Sequence, residues 1–219
     1  MSDLKTQIIT TLLQDVDDVE VWSPIEPKFF GSTTRVLSLF GEVDYSIALL
    51  TISQLEHLAH LSEDEPITLF LNTEGGSLTD AFAIYDCIKN LSCPVLIVAT
   101  GLCASAGLLI LCAADYKMAT ENTVFYYHQP VFAQTGAVSS TKDMKVLSGH
   151  YEFCQKQVDK RIKEATKITK KQWEKHFDSS TGYYFDAKQA LKYNFIEKIA
   201  PSNKGDFEIK SFLEEDEEE

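Results

Sequence analysis

Residues 67–99 read ITLFLNTEGGSLTDAFAIYDCIKNLSCPVLIVA and contain a complete strand–helix–strand unit. The apolar run 67–71, introduced by Pro66, is typical of a buried strand. After the Gly75-Gly76 turn, apolar residues recur at the three- and four-residue spacing of a helix, and Pro94 then opens a second apolar run. Two buried strands joined by a helix predict a parallel β-α-β unit, in which ligands bind at the carboxyl ends of the strands.

The same alternation extends in both directions along the chain. Further strands are predicted at 35–40, 116–119 and 124–127, and further helices at 46–61 and 105–114. Residues 144–162 then form one long amphipathic helix that projects from the domain, and two capping boxes open short helices at 170–176 and 187–193. Asn194 is suited to the left-handed position that ends the last of them. The pattern predicts an α/β fold of repeated β-α-β units with a projecting handle helix.

The composition limits the classes of function. The hydrophobic content of 44% is typical of a globular domain, and the longest apolar run, 108–114, is too short to span a membrane. The net charge of −13 disfavours a nucleic-acid partner, because phosphate binding requires a basic face. We expect no secretory signal, because the first residues lack a basic segment followed by an apolar one. We therefore expect a cytoplasmic protein with no membrane or nucleic-acid partner, no metal and no cofactor.

The two ends of the chain differ from its middle. Residues 1–30 are a weakly patterned, divergent arm, and residues 201–219 end in six consecutive acidic side chains. Such an acidic run is typical of a disordered, solvated tail. The expected domain therefore spans residues 31–200.

The five cysteines are odd in number and show no C-x-x-C spacing. They sit in apolar surroundings, which is typical of reduced core thiols in an intracellular protein and not of disulfides or metal ligands. Cys103, close to Ser105, is a rival nucleophile, although its small neighbours favour packing.

Three polar features each follow a predicted strand. They are the Gly75-Gly76 turn, Ser105 in GLCASAG at 101–107, and His128 in YYHQP at 126–130. A serine hydroxyl becomes a nucleophile when a base takes its proton, and His128 is the candidate base. The other histidines lie on predicted helices, where surface or interhelical positions are typical: His57, His60, His150 and His176.

An acyl-transfer site also needs two N–H donors aimed at the oxyanion. The amide of Ala106, in the first turn of a helix, is one candidate donor, since the helix dipole favours negative charge there. Gly76 is the other, because a residue without Cβ lets the backbone approach a substrate closely. Together with Ser105 and His128, these amides predict a serine hydrolase.

With these motifs in order, the chain resembles the ClpP family, the serine peptidase subunits of the Clp proteolytic machine. The resemblance covers about residues 36–199. It is carried by LFGEVD at 39–44, NTEGGSLT at 72–79, AIYD at 83–86, GLCASAG at 101–107, HQP at 128–130 and AKQALKY at 187–193.

The resemblance implies a ClpP/crotonase-like α/β superhelix that assembles as a heptameric ring or a tetradecamer of two stacked rings. It implies Ser105 as nucleophile, His128 as general base, and Gly76 and Ala106 as oxyanion donors. It further implies unfolded polypeptide substrates, hydrolysed inside a chamber, and an AAA+ Clp ATPase as partner.

The third member of the triad departs from the family pattern. An ungapped alignment puts Gly182 where the family has an orienting aspartate. Asp178 is the tentative substitute, Asp186 is a second candidate with a competing capping role, and a water, a backbone carbonyl or no orienter are the remaining alternatives. Glu74 and Ala106 replace a proline and a methionine that are common in the family.

Two other functions stay open at this point. Gly182 favours a non-catalytic, ClpR-type structural subunit of a Clp complex. A crotonase-fold acyl-CoA enzyme would share the fold but would not need the Ser105–His128 pair.

Overall fold

The computed structural model describes residues 35–129, 141–178 and 181–200. The predicted N-terminal arm, 1–30, and the acidic tail, 201–219, lie outside the described residues, so the domain limits remain predictions. No helix within the described residues is both long enough and apolar enough to cross a lipid bilayer.

Strands and helices alternate along most of the described chain. The strands are β1 Val36–Phe40, β2 Ile67–Thr73, β3 Val95–Ala104, β4 Tyr116–Ala119, β5 Val124–Tyr127, β6 Tyr183–Asp186 and β7 Lys198–Ile199. The helices are α1 Tyr45–Leu61, α2 Leu78–Asn90, α3 Ala106–Leu111, α4 Thr141–Ala165, α5 Lys170–Gln172 and α6 Ala187–Tyr193, with a π-helix at Trp173–Phe177.

The strands form one sheet in the order β1-β2-β3-β4-β7, and all neighbours along this path are parallel. The long strand β3 divides between two partners, because its first half pairs with β4 and its second half, 102–104, pairs with β5. β6 adds to β5 in the antiparallel direction. The predicted α/β fold with a parallel sheet is confirmed, and the antiparallel β6 is an addition that the strand–helix alternation did not predict.

Several helix boundaries follow from capping side chains. The predicted capping boxes at Thr169 and Asp186 are both formed, and Asn194 ends α6 in the left-handed region with φ 62°. The helix predicted at 170–176 is instead three α-helical residues followed by the π-helix. The predicted long amphipathic helix is confirmed as α4, which runs for 25 residues.

Around Ser105 the predicted boundaries were wrong by several residues. The strand predicted to end at 99 continues to Ala104, and the helix predicted at 105–114 is the shorter α3. The strand continues because residues 102–104 find a second partner in β5. Gly101, within β3 where the pairing with β2 shifts register, has φ 60°, and the N–H of Leu102 donates to the Asn72 side-chain oxygen at 3.0 Å.

The core lies between the sheet and the helices that cover it. Every residue of α3 is buried, so this short helix is embedded in the domain and its N-terminal end is held at the end of β3. An aromatic cluster fills the space below β5 and β6: Tyr127, Trp173, Phe177, Tyr183, Phe185, Tyr193 and Phe195. Such burial holds the strand ends in fixed positions.

Candidate active site

The carboxyl ends of β2, β3 and β5 open into one cavity of about 510 Å³. The Gly75-Gly76 turn follows β2, Ser105 follows β3 and His128 follows β5, and all of them line this cavity. Ala106 is fully buried directly behind Ser105. The structure therefore brings four of the five predicted site residues to one place, and it leaves Asp178 off the cavity wall.

Ser105 occupies a strained turn between β3 and α3. Its backbone has φ 55° and ψ −120°, which is unusual for a residue with a side chain. Its N–H donates to the Tyr126 carbonyl at 2.7 Å, and this bond holds the turn against β5. Backbone strain of this kind costs about 1–3 kcal/mol and persists where the surrounding structure fixes it. A sharp strand-to-helix turn projects the serine hydroxyl into the cavity, as a nucleophile requires.

The two glycines let neighbouring backbones approach closely. A Cβ on Gly75 would lie 2.6 Å from the Ser105 Cβ and 2.9 Å from the Ala106 nitrogen. A Cβ on Gly76 would lie 2.3 Å from the Val43 carbonyl oxygen. Both glycines have positive φ, 96° and 147°. Thus Gly75 is required by the Ser105 turn, and Gly76 by its close approach to the Val43 backbone.

The amides of Gly76 and Ala106 are available to a ligand. Among the residues that the structure describes, neither N–H donates a hydrogen bond. The Ala106 amide is the first of α3, where the helix leaves its N–H groups unpaired. The Gly76 amide belongs to the residue that follows Gly75, and Gly75 packs directly against Ser105 and Ala106. Two free donors beside a serine hydroxyl can hold an oxyanion.

His128 is oriented by a backbone carbonyl. Its Nδ1 lies 2.6 Å from the Gln129 carbonyl oxygen. Since a carbonyl only accepts, Nδ1 carries the proton, and Nε2 is left with the lone pair that a general base needs. No hydrogen bond joins the Ser105 hydroxyl to His128 within the described residues, and such contacts commonly tighten only when substrate binds.

The candidate carboxylates lie elsewhere. Asp178 is exposed after the π-helix, and within the described ranges no hydrogen bond or ion pair joins it to His128. Asp186 accepts from the Gln189 amide at 2.8 Å as the cap of α6. Gly182, which the sequence alignment puts at the position of the family aspartate, has φ 73° and lies against the ring of Tyr126. The backbone carbonyl, one of the alternatives considered from the sequence, is the group that Nδ1 contacts.

A buried polar network ties β5 to α4, which forms the opposite wall of the cavity. The Tyr127 hydroxyl donates to the Asp159 carboxylate at 2.6 Å, and Gln155 donates to both of them. Burial, and next the Asp159 charge, raise the pKa of Tyr127, and the charge of Asp178 adds to this. The network fixes β5, the strand that His128 follows.

Sequence reasoning missed two residues of that wall. His150 was interpreted as a surface or interhelical histidine, and Cys154 as a core thiol, yet both line the cavity, with Nε2 and Sγ 3.7 Å apart. Their four-residue spacing places them on one face of α4. The amphipathic pattern identified that face as apolar but could not indicate that it turns toward a cavity.

Cys103 is not placed to react. Its side chain is fully buried, and burial raises the pKa of the thiol well above its usual range. A cysteine nucleophile acts as the thiolate, so this environment opposes reactivity. The five cysteines are all free; Cys87 is half-buried and the other four are buried.

Comparisons with known proteins all match one family. The model of the Clp protease family matches residues 29–203. The ATP-dependent Clp protease proteolytic subunit 2 of Treponema pallidum is 30% identical over 168 residues, which are 76% of this chain and 82% of the relative. The subunit of the same name from Thermobifida fusca is 31% identical over 184 residues, 80% of this chain and 88% of the relative.

A solved structure, a ClpP1 mutant from Listeria monocytogenes, superimposes with a TM-score of 0.68 at 27% identity, covering 78% of this chain and 94% of the other. The mixed α/β fold, with its parallel sheet and covering helices, matches that of the Listeria monocytogenes protein. The family model alone spans well over half of the sequence. The chain belongs to the Clp protease family, as a ClpP-type subunit.

Proposed function

We propose that this protein is a serine endopeptidase subunit that hydrolyses unfolded polypeptides. Ser105 is the nucleophile, His128 is the general base, and the amides of Gly76 and Ala106 hold the oxyanion. The observation that carries the proposal is the strained Ser105 turn, with φ 55°, facing the same cavity as His128 and the Gly75-Gly76 turn. Strain on a reactive residue is typical of functional sites.

In the proposed reaction the Ser105 hydroxyl attacks the scissile carbonyl while His128 Nε2 takes its proton. The Gln129 carbonyl keeps Nδ1 protonated, so Nε2 is the basic nitrogen throughout the attack. His128 then gives the proton to the leaving amine, and water hydrolyses the acyl-enzyme by the same path. Asp178 stays a predicted third member of the triad.

The assembly and partners are part of the same proposal. The family relationship supports a homo-oligomer, a heptameric ring or a tetradecamer of two rings, with an AAA+ Clp ATPase delivering unfolded chains in the cytoplasm. Several large apolar side chains are exposed on α4, among them Val146 at 71% and Phe153 at 62%. Exposed apolar patches on an isolated subunit are typical of interfaces, which supports assembly through this helix.

The test is Ser105→Ala. We expect hydrolysis of a fluorogenic peptide to fall at least ~10³-fold and fluorophosphonate labelling to disappear, because the variant lacks the hydroxyl that attacks the carbonyl and takes the label. Ser53→Ala, on the exposed face of α1, is the matched control and should retain both signals. Unchanged hydrolysis and labelling in Ser105→Ala would overturn the proposal.

One observation favours a second function. The ungapped alignment puts Gly182 where the family has its orienting aspartate, and this favours a non-catalytic, ClpR-type subunit. Replacement of a triad aspartate can lower turnover by about 10⁴-fold while the geometry stays intact. Rings of this chain that never label at Ser105 would support the structural role.

A further inference from the structure

Three aromatic rings form a stack that ends on His128. The Tyr126 and His128 ring centroids are 5.2 Å apart with the planes inclined by 24°, and those of Tyr126 and Tyr184 are 3.9 Å apart at 18°. Tyr126 and Tyr184 are directly opposite in the antiparallel register of β5 and β6. His128 follows Tyr126 by two residues, the spacing at which side chains of an extended chain share a face.

The stack excludes a side chain at residue 182. A Cβ on Gly182 would lie 2.4 Å from the Tyr126 hydroxyl oxygen and 2.7 Å from its Cε2. Only a glycine fits against this ring, and the φ of 73° favours glycine for a second reason. The ring of Tyr126 therefore occupies the volume through which a carboxylate from residue 182 would approach His128.

We propose that Tyr126 is a positioning residue that holds the His128 imidazole in its productive orientation, in the role that a carboxylate has in other serine hydrolases. The inference rests on the proposed function of Ser105 and His128. Tyr184 supports the far face of Tyr126, and the antiparallel β5–β6 pairing supports both tyrosines.

The stack assists the reaction in two physical ways. It restricts rotation of the imidazole, while the Gln129 carbonyl selects the tautomer. The face of a tyrosine ring is also electronegative, so it stabilises the imidazolium that forms when His128 takes the serine proton. That charge exists only after proton transfer, and the stabilisation therefore favours the transition state over the bound substrate.

The same residue also locates the nucleophile. The Tyr126 carbonyl accepts the Ser105 N–H at 2.7 Å, and Ala104 is paired with Tyr126 across β3 and β5. Its backbone thus fixes the serine turn while its ring fixes the base. A side-chain substitution leaves the backbone bond in place, which allows the contribution of the ring to be measured separately.

The experiment compares Tyr126→Leu with Tyr126→Phe in the assembled protein. Tyr126→Phe keeps the ring face, and we expect its kcat and KM to stay within about twofold of the wild type. Tyr126→Leu keeps an apolar side chain but loses the ring face, and we expect kcat to fall roughly 3- to 30-fold, with KM within about twofold. A general loss of structure would lower the apparent kcat at unchanged KM, so kcat is calculated from the concentration of folded protein measured for each variant.

A second readout does not depend on activity. In crystal structures of the two variants, the His128 ring should keep its position in Tyr126→Phe and rotate away in Tyr126→Leu. Tyr126→Met serves as a second variant without a ring should Tyr126→Leu fail to fold. The inference is overturned if the kcat and the imidazole position of the Leu or Met variant equal those of Tyr126→Phe.

The two failures are distinguishable. If the wild type neither hydrolyses peptide nor labels at Ser105, the proposed function fails, and the crystal structures still decide whether Tyr126 holds the imidazole. If the wild type is active and all three Tyr126 variants match it, the positioning role fails and the proposed function stands.

Discussion

Replacing Gly75 by alanine is expected to displace the turn that carries Ser105. The added Cβ would lie 2.6 Å from the Ser105 Cβ, 2.9 Å from the Ala104 carbonyl oxygen and 2.9 Å from the Ala106 nitrogen. Two of these contacts are backbone atoms and the third is the first atom of the side chain, so a rotamer change cannot relieve them. The turn that carries Ser105 must move.

The magnitude follows from two contributions. The φ of 96° at Gly75 disfavours alanine by about 1–2 kcal/mol, because Cβ then approaches the following carbonyl. Overpacking against rigid atoms costs about 1–3 kcal/mol more. We therefore expect the free energy of unfolding to fall by about 2–5 kcal/mol. A displacement of the nucleophile by about 1 Å lowers the rate roughly 10²-fold.

Gly41→Ala is the matched control. Its φ of 93° is nearly the same, yet an added Cβ would meet nothing within 4 Å. The free energy of unfolding of Gly41→Ala should fall by only about 1–2 kcal/mol, because only the cost of a positive φ for alanine applies, and its activity should be retained. Urea unfolding gives the stabilities, and peptide hydrolysis with fluorophosphonate labelling gives the activities. If Gly75→Ala matches Gly41→Ala in stability and retains most of its hydrolysis, the close approach is not what holds the Ser105 turn.

Two further predictions concern buried groups. Burial raises the pKa of Tyr127, so the unfolded chain loses the Tyr127 hydroxyl proton at about pH 10 while the folded protein keeps it. The stabilising contribution of this group is therefore fully present below about pH 10, and above it the free energy of unfolding falls by about 1.4 kcal/mol per pH unit. Between about pH 10 and about pH 11, the free energy of unfolding in urea should depend less steeply on pH in Tyr127→Phe than in the exposed control Tyr45→Phe. Equal slopes in the two variants would refute the raised pKa of Tyr127. Burial also raises the pKa of Cys103, so iodoacetamide should leave this thiol unmodified in the folded protein and modify it after unfolding in urea, as followed by mass spectrometry. Alkylation of folded Cys103 with loss of hydrolysis would count against Ser105 as the nucleophile.

The local patterns predicted the main elements well. Apolar runs bounded by proline and glycine identified β2 and β3, and polar side chains with glutamine three residues later identified the caps at Thr169 and Asp186. These features depend on neighbouring residues, so the sequence contains all the information that they need.

The errors lie where distant strands meet. Ala104 belongs to a strand because it pairs with β5, and residues 183–186 form β6 because they pair with the other edge of β5. Neither pairing is visible in a local window. The same reason applies to His150 and Cys154, whose helix face lines a cavity that other elements form.

From the sequence it follows that a serine, a histidine and a glycine turn each come after a strand, and parallel pairing then requires those strand ends to lie at one edge of the sheet. The groups that contact His128 depend on the tertiary structure. Nδ1 meets the Gln129 carbonyl, and the register of β5 and β6 places the ring of Tyr126 beside the imidazole and leaves room for nothing larger than glycine at residue 182.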